Sequence, residues 1–575
     1  MSATDFTKQP VTFVEILPDR CTRTYGVSPC TAVVGTTGDD RCYNTFCTCQ
    51  DAANYAIGTL TLRFSMQGMP RVPGQNAYPC ITGMTTVPTL IDQRRGLGAR
   101  EMLKVDMIDF MDEDVQQDPY YRQRSNRTAR RFFARLLRRN RTALKGRTVK
   151  VREGYLDPDG TLLMSGLNDR TYVVESLKLS ARGKVTLTAK DPLKLLDGVM
   201  IPTASDGEIT ATMAVGATSV SVKAGQGAQY GSAPFYFRIG DEIMKCTTIA
   251  TDAFSVVERA QAGTTAEEHA ADSKVQIVRA WTADQIDDIW EDILLESGVP
   301  AANYDKTSFT TSVDAYLSSI TPEVYISEPT RADKLLSDLM MQTNCYTFWD
   351  AEAQTIEAVH VQPLQIGESL ATLNDDDNII GDSLSVEVAE DQRLTRSTIA
   401  HGVIDWSAGL EEPQNYLRHT RYIDTDAESA NEYGDEKART LWAYWLPSST
   451  AEEVNTLAYR LLTRYRDAPQ IITCDLEVKD ADSIQVGERV EMTAYLLVDD
   501  AGAPLATECL VIGKRKKSGR QGEYTYTLET INTSGRFGFW APDGTADYPT
   551  DETYGHLADE TTEEMPNGDR PYAWG

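Results

Sequence analysis

Residues 19–55 read DRCTRTYGVSPCTAVVGTTGDDRCYNTFCTCQDAANY and hold five of the ten cysteines of the 575-residue chain. Four of them form two widely spaced pairs, Cys21 with Cys30 and Cys42 with Cys49. The residues between them are rich in Gly, Pro, Asp and Thr, which favour loops. The stretch therefore predicts an N-terminal domain whose loops fold around a common centre.

The chemistry of that centre depends on the compartment in which the chain folds. The start, MSATDFTKQP, lacks a basic segment followed by an apolar one, so we expect folding in a cytosol, where thiols stay reduced. There, a cysteine cluster favours a metal, and four thiolates suit an iron–sulfur cluster or a tetrahedral zinc ion. Disulfides formed after cell lysis and packed free thiols are the alternatives. Cys47 and Cys80 are further candidate ligands.

Length, composition and charge limit the fold and the binding partners that the rest of the chain can have. Apolar residues make up 41% and charged residues 25%, which is typical of folded proteins, and 575 residues predict three to five domains. The formal charge of −29 argues against net attraction to nucleic acid or an anionic membrane. No apolar run approaches the roughly 18 residues of a membrane span, so we expect no stable membrane insertion.

The distribution of strand, helix and turn patterns predicts a multidomain fold, mainly β with α+β. Several small β-barrel or sandwich modules are expected around an α+β centre. The predicted segments are a cysteine-cluster domain (1–95), a β-rich domain with a basic helix (96–204), an inserted small β-module (205–280), an α+β subdomain (281–365), a β-rich domain with one long helix (366–540) and an acidic tail (541–575).

One helix in the second segment is unusually basic. Residues 122–152 contain 13 Lys or Arg and no Asp or Glu. The helix has an apolar stripe that should face a core, and the arginines around it should lie on the outer faces. It is either a solvated amphipathic helix, a docking face for an acidic neighbouring subunit or a DNA contact. The stripe is Phe132, Phe133, Leu136 and Leu137, and the subunit-interface candidates are Arg130, Arg131, Arg135, Arg138 and Arg139.

Sequence signatures of enzymes are missing from the chain. It contains no phosphate-binding G-x-x-x-x-G-K-[ST] loop, no H-E-x-x-H helix and no G-x-S-x-G elbow. The five histidines are not at helical ligand spacing, and His269 in a loop of the small β-module predicts a hydrogen-bonding residue. We therefore expect no catalytic residues.

The cysteine stretch resembles a known motif. C-x-x-x-Y-G-V-x-P-C followed by C-x-x-T-x-x-x-C is similar to the motif of the tail-tip iron–sulfur proteins of long-tailed, siphovirus-type phages, the lambda minor tail protein L type. The resemblance implies a [4Fe–4S] cluster on Cys21, Cys30, Cys42 and Cys49, with zinc or no metal as the alternatives. RIGDEIM and ERAQAGTTAEEHA, in residues 205–280, resemble a β-module often inserted in phage tail proteins.

The family implies a structural role as the central hub of a phage tail tip. Such a hub is a homotrimer that closes the tail lumen, joins the six-fold tail to a three-fold tip and lets DNA pass on ejection. Its partners would be the distal tail ring, the tape-measure protein and tail fibre or tip proteins. Its location would be the virion, after assembly in the host cytoplasm. The alternatives are a tail-associated cell-wall or polysaccharide hydrolase and a hexameric distal tail ring.

Overall fold

The computed structural model describes most of the chain. The described residues are 9–33, 35, 38–69, 72, 75–92, 94–156, 162, 167–351, 353–360, 370–425, 427–428, 436–477, 484–499, 501–516, 523–531, 539–540 and 572–573. As predicted, the fold is multidomain and mainly β, with 41% strand and 20% helix. Nearly all of the acidic tail lies outside the described residues. No described helix has the length and apolar character needed to cross a membrane.

A closed barrel of seven strands occupies the first third of the chain. Its strand order is β1-β4-β5-β6-β11-β10-β9, and β9 pairs with β1 to close the sheet. Strands on both sides of residue 95 belong to it, so the two segments predicted as 1–95 and 96–204 share one sheet. The elements of this region are β1 (Gln9–Leu17), β2 (Asp19–Cys21), β3 (Ile57–Thr59), β4 (Leu62–Met66), β5 (Ala77–Val87), β6 (Met102–Ile108), β7 (Met111–Asp112), β8 (Arg130–Arg131), α1 (Phe132–Asn140), β9 (Thr148–Leu156), β10 (Asn168–Leu179) and β11 (Lys184–Lys190).

Alternating apolar residues fill the barrel, and one helix closes it. Leu103, Val105 and Met107 on β6 point inward together, because side chains two residues apart share one face of a strand. Helix α1 adds its apolar stripe, as predicted: Phe132 and Phe133 are fully buried in the same core. The apolar face of the helix therefore packs into the barrel and plugs it, and its other faces lie outside the barrel.

Residues 207–281 form a β-module. Its sheet has the order β13-β18-β15-β16-β17-β14 around its own core, and β18 also pairs with β19 of the next region. The bounds are β12 (Met200–Ile201), β13 (Gly207–Glu208), β14 (Ser219–Ser221), β15 (Phe235–Ile239), β16 (Glu242–Ala250), β17 (Ala253–Gln261) and β18 (Lys274–Trp281).

The α+β centre follows. It consists of helices and a hairpin, and helix α3 packs on the hairpin. The bounds are α2 (Ile286–Glu296), α3 (Thr307–Tyr316), β19 (Val324–Ile326), β20 (Thr330–Arg331), α4 (Ala332–Gln342), β21 (Cys345–Asp350) and β22 (Thr355–His360). Trp281 and Trp290 lie in its large core, which extends to Trp445 and so joins the centre to the next region.

The remaining described residues are β-rich with one long helix. A six-stranded sheet has the order β23-β29-β30-β31-β28-β24, and β25 lies between β26 and β27 in a second sheet. The bounds are β23 (Ala371–Asn374), β24 (Ser385–Val388), β25 (Arg396–Val403), β26 (Tyr416–Ile423), β27 (Ala438–Ala443), α5 (Ala451–Tyr465), β28 (Gln470–Glu477), β29 (Arg489–Thr493), β30 (Thr507–Lys516), β31 (Glu523–Thr530), β32 (Phe539–Trp540) and β33 (Tyr572–Ala573).

His269 belongs to a buried polar network of the β-module and has the predicted hydrogen-bonding role. Its Nε2 lies 2.8 Å from Glu242 Oε2, and Arg259 donates to both oxygens of the same carboxylate at 2.6 and 2.7 Å. Glu242 is fully buried. Burial alone would raise the pKa of Glu242, but hydrogen bonds from Arg259, His269 and backbone N–H groups lower it from 4.5 to about 2.

We predict that this network makes the stability of the module dependent on pH. Because the folded pKa of Glu242 is below the unfolded value, its contribution is complete above about pH 4.5 and is lost as the pH falls towards 2. Glu242→Gln should lower the free energy of unfolding by about 3–5 kcal/mol at pH 7, because it leaves Arg259 without its ionic partner. Thermal unfolding between pH 2 and 7 measures both effects. The matched control is Glu258→Gln at an exposed position, and equal losses from the two variants would contradict the prediction.

Candidate metal centre

The four cysteines of the predicted ligand set line one cavity. Cys21, Cys30, Cys42 and Cys49 all contribute to its wall, together with the side chains or backbone of Arg23, Tyr25, Ala32, Asn44, Gln50, Asp51 and Asn54. The segment that carries them leaves the barrel after β1 and returns at β4, with the short β2–β3 ribbon at its base. Residues up to 28 positions apart in the sequence are thus brought to one place.

The other two candidate cysteines do not line this cavity. Cys47 faces helix α1, where its Sγ donates a hydrogen bond to the Asn140 carbonyl oxygen at 3.1 Å. Cys80 is 4% exposed and packs in the barrel core. All ten cysteines are free thiols. The structure therefore separates four cysteines around a cavity from one that packs beside it and one that belongs to the core.

Asn44 ties the first cysteine to the third. Its side-chain amide donates to the Cys21 carbonyl oxygen at 3.0 Å, and its own carbonyl oxygen accepts from the Cys21 N–H at 2.7 Å. The Cys42 thiol donates to Asn44 Oδ1 at 3.4 Å. Asn44 adopts a left-handed backbone with φ of 54°, a conformation that Asn tolerates better than most residues. This residue positions Cys42 opposite the β2 strand.

Asp51 connects the second and fourth cysteines of the set, Cys30 and Cys49, by hydrogen bonds. Its carboxylate accepts from the N–H and the hydroxyl of Thr31, next to Cys30, at 2.6 and 2.9 Å. Its own N–H points at Cys49 Sγ at 3.4 Å. Backbone N–H groups directed at sulfur are one of the means by which proteins tune metal-bound thiolates.

The thiols of the cavity are electrostatically coupled. Burial raises the pKa of both Cys42 and Cys49, and the neighbouring cysteines raise each of them further, because adjacent negative charges repel. In the described part of the chain, no group of three or more His, Cys, Asp or Glu is already arranged as a metal site. The fit to a metal rests on the donor set: four convergent thiols are the ligands that iron–sulfur clusters and zinc use.

Arg124 holds the loop that carries Cys42. Its guanidinium donates to four backbone carbonyl oxygens of this loop, among them those of Arg41 at 2.8 Å and Cys42 at 3.1 Å. On its other side, it pairs with the buried Asp118 carboxylate, with Nε 2.8 Å from Oδ2. Arg124 is only 7% exposed. A planar cation with five donors is suited to this bridging position, and lysine is not.

Arg139 joins the same loop to helix α1. Its guanidinium carbon lies 3.8 Å from the centroid of the Tyr43 ring, and that of Arg124 lies 4.2 Å from the same centroid. Arg139 also pairs with both oxygens of Asp114 at 2.8 and 2.5 Å. We call Arg124, Tyr43 and Arg139 the tyrosine clamp. It fastens the cysteine loop to the helix that plugs the barrel.

The arginines predicted to lie on outer faces therefore divide into two that bind acids of the same chain and three that are exposed. The prediction is wrong for Arg139, which is 8% exposed, because its charge is neutralised by Asp114 within the chain. Arg135 is half-buried and binds Asp112. Arg130, Arg131 and Arg138 are exposed, so they remain subunit-interface candidates. Sequence reasoning missed the roles of Arg124, Tyr43 and Asn44, and the only signal for them was their position beside the cysteines and in the basic segment.

Comparisons with known proteins give distant likenesses of fold. No family model and no curated protein matches the chain. The tail protein from Neisseria meningitidis MC58 aligns with TM-score 0.37 and 10% identity over 78% of this chain and 91% of that chain. Prophage tail protein gp18 from Listeria monocytogenes EGD-e aligns with TM-score 0.28 and 10% identity over 68% and 86%.

A third solved structure is the E. coli c3393 protein, described as a type VI secretion component with structural similarity to T4 bacteriophage tail proteins gp27 and gp5. It aligns with TM-score 0.31 and 10% identity over 85% of this chain and 79% of that chain. At these identities and TM-scores, none of the three likenesses bears on function.

We predict that Arg124→Met releases the cysteine loop without unfolding the barrel. Removing the guanidinium leaves the Asp118 carboxylate buried without its ionic partner, which costs about 3–5 kcal/mol locally. In metal-free protein, the reaction of Cys42 with a thiol reagent, followed by mass spectrometry of its peptide, should accelerate at least about tenfold because the loop opens more often. Arg122→Met, at an exposed position two residues away, is the control, and equal rates in the two variants would contradict the clamp.

We also predict that the exposed arginines act between subunits. Replacing Arg130, Arg131 and Arg138 by Glu should leave the isolated chain folded, since surface substitutions usually cost within about 0.5 kcal/mol each. It should reduce assembly by like-charge repulsion, measured as oligomer mass and particle yield. The control replaces Lys178, Lys274 and Arg418, which are exposed elsewhere, by Glu. Normal assembly of the first variant would show that these arginines form a solvated face.

Proposed function

We propose that this chain is a structural protein of a phage tail tip in which Cys21, Cys30, Cys42 and Cys49 hold a [4Fe–4S] cluster. The observation that supports it is the selective convergence of cysteines. The four that match the tail-tip motif line one cavity, whereas Cys47, inside the same motif, faces the Asn140 carbonyl. A cluster there would add its binding free energy to the folding of the loops. Zinc on the same ligands is the alternative metal.

In this proposal the chain acts as the central hub, and it does so without catalysis. The hub would be a homotrimer that closes the tail lumen and joins the six-fold tail to the three-fold tip. Its neighbours would be the distal tail ring, the tape-measure protein and tail fibre or tip proteins. It would reside in the virion after assembly in the host cytoplasm.

The charge of the chain suits a conduit for DNA. DNA carries about one negative charge per 1.7 Å of duplex. A chain with a formal charge of −29 repels it, so an acidic lumen would let DNA pass on ejection without binding. Solubility of a large virion component is the other explanation of the same acidity.

Metal analysis of anaerobically purified protein tests the cluster. We predict iron and sulfide, with broad absorbance at the blue end of the visible range. Cys47→Ser should retain the metal, because Cys47 does not line the cavity, and Cys30→Ser should lose it. Neither iron nor zinc in the native chain would contradict the metal centre, and the reverse pattern of the two variants would reassign the ligands.

Imaging of the assembled particle at subunit resolution tests the hub. We predict three copies of the chain around the axis of the tail tip. Six copies would favour the distal tail ring. Steady release of sugars or peptides from cell-wall substrate by the isolated protein, abolished by changing one carboxylate, would favour the hydrolase.

A further inference from the structure

We propose that a cavity at the junction of the barrel, the central hairpin and the six-stranded sheet binds a small oxyanion of the size of phosphate or sulfate. The cavity measures about 40 Å³, which exceeds the roughly 10–15 Å³ that one water needs. Arg170 of β10 lines it on the barrel side, Trp349 of β21 on the hairpin side and Lys514 of β30 on the sheet side. The site is separate from the cysteines and independent of the tail-tip proposal.

Two buried donors in the wall lack a partner among the described residues. Trp349 is 2% exposed and Thr89 is 7% exposed. Neither Trp349 Nε1 nor Thr89 Oγ1 has a hydrogen-bond partner among the residues that the structure describes. Buried polar groups are nearly always hydrogen-bonded, and an indole N–H can only donate. A ligand that presents acceptor oxygens to the cavity would satisfy both groups at once.

The charges around the cavity favour an anion. Three cationic side chains line it, Arg170, Lys514 and Arg515, against two carboxyl groups, those of Glu101 and Asp350. Glu101 accepts the Tyr172 hydroxyl at 2.7 Å and its carboxylate offsets the charge of Arg170, which leaves Lys514 and Arg515 against Asp350. Lys514 is held at the cavity by Ile484 O and Gln485 Oε1, each 3.1 Å from its Nζ. The chain as a whole has a formal net charge of −29, so an excess of positive charge around this cavity is unusual.

The combination of donors specifies an oxyanion more than a halide. The wall offers an indole N–H, a hydroxyl, a guanidinium and an ammonium from different directions. A tetrahedral oxyanion can accept from all of these, and guanidinium groups bind two of its oxygens in parallel. Because the donors come from three parts of the fold, the bound ion would tie the barrel, the hairpin and the sheet together.

Thermal unfolding of the full chain in sodium phosphate, sodium sulfate and sodium chloride at matched ionic strength tests the proposal. Phosphate or sulfate should raise the melting temperature by mass action, with saturation, and chloride should not. Thr89→Val removes one donor at nearly constant shape and should weaken oxyanion binding about tenfold. Without oxyanion it should be as stable as the native chain, because the hydroxyl that it removes has no partner in the described part of the chain.

A second variant, at an exposed position of the cavity, tests the proposal without changing the buried Thr89. Arg515 is exposed, so Arg515→Gln should fold and should weaken oxyanion binding several-fold by removing one charge. Arg138→Gln, outside the cavity, is the charge-matched control. The proposal is overturned if the three salts stabilise the native chain equally, or if Thr89→Val and Arg515→Gln both respond to phosphate as the native chain does. Either result would show that the cavity holds only water.

Discussion

The contact between the Tyr43 ring and the Arg139 guanidinium is the constraint on which the cysteine region depends. Helix α1 buries Phe132 and Phe133 in the barrel, and the same helix presents Arg139 to the cysteine loop. The rigid barrel therefore extends through one helix to residues that by themselves have little core. Asp114 completes the arrangement because it neutralises Arg139 and fixes its orientation. A cation next to an aromatic ring gains more when the cation is withdrawn from water, as Arg139 is here at 8% exposed.

The cysteine segment needs such external support. Among its described residues between 19 and 59, only Tyr25, Gly38, Asn44 and Thr45 are buried. Large apolar side chains such as Val33 and Ile57 are 83% and 73% exposed. Hydrophobic burial alone cannot order a segment of this kind. Its order depends instead on polar contacts with Arg124, on the hydrogen bonds of Asn44 and Asp51 and, in our proposal, on a metal held by four thiolates.

Local patterns made much of this predictable. The alternation in β6 and the apolar stripe of α1 each identify a buried face from a few neighbouring residues, and the motif singled out the four cysteines that share the cavity. Long-range pairing was not predictable, because nothing local indicates that strands before and after residue 95 close one barrel. Helix α3 was missed because its Thr-rich sequence has low helix propensity, and tertiary contacts stabilise it, among them the burial of Phe309 and Val313 and the hydrogen bond from Thr310 to Asp287. Arg139 was misplaced because a basic run does not reveal which of its members meets an acid such as Asp114.

X-ray absorption spectroscopy of the anaerobically purified native chain, at the iron and zinc edges, decides whether the four cysteines hold a metal. It reports the elements and distances around a bound metal without a crystal. We predict four protein thiolate sulfurs in total, with sulfide and neighbouring iron atoms for a [4Fe–4S] cluster, or four sulfurs about 2.3 Å from a single zinc ion. A metal surrounded by oxygen and nitrogen, or a chain without metal at either edge, would contradict it.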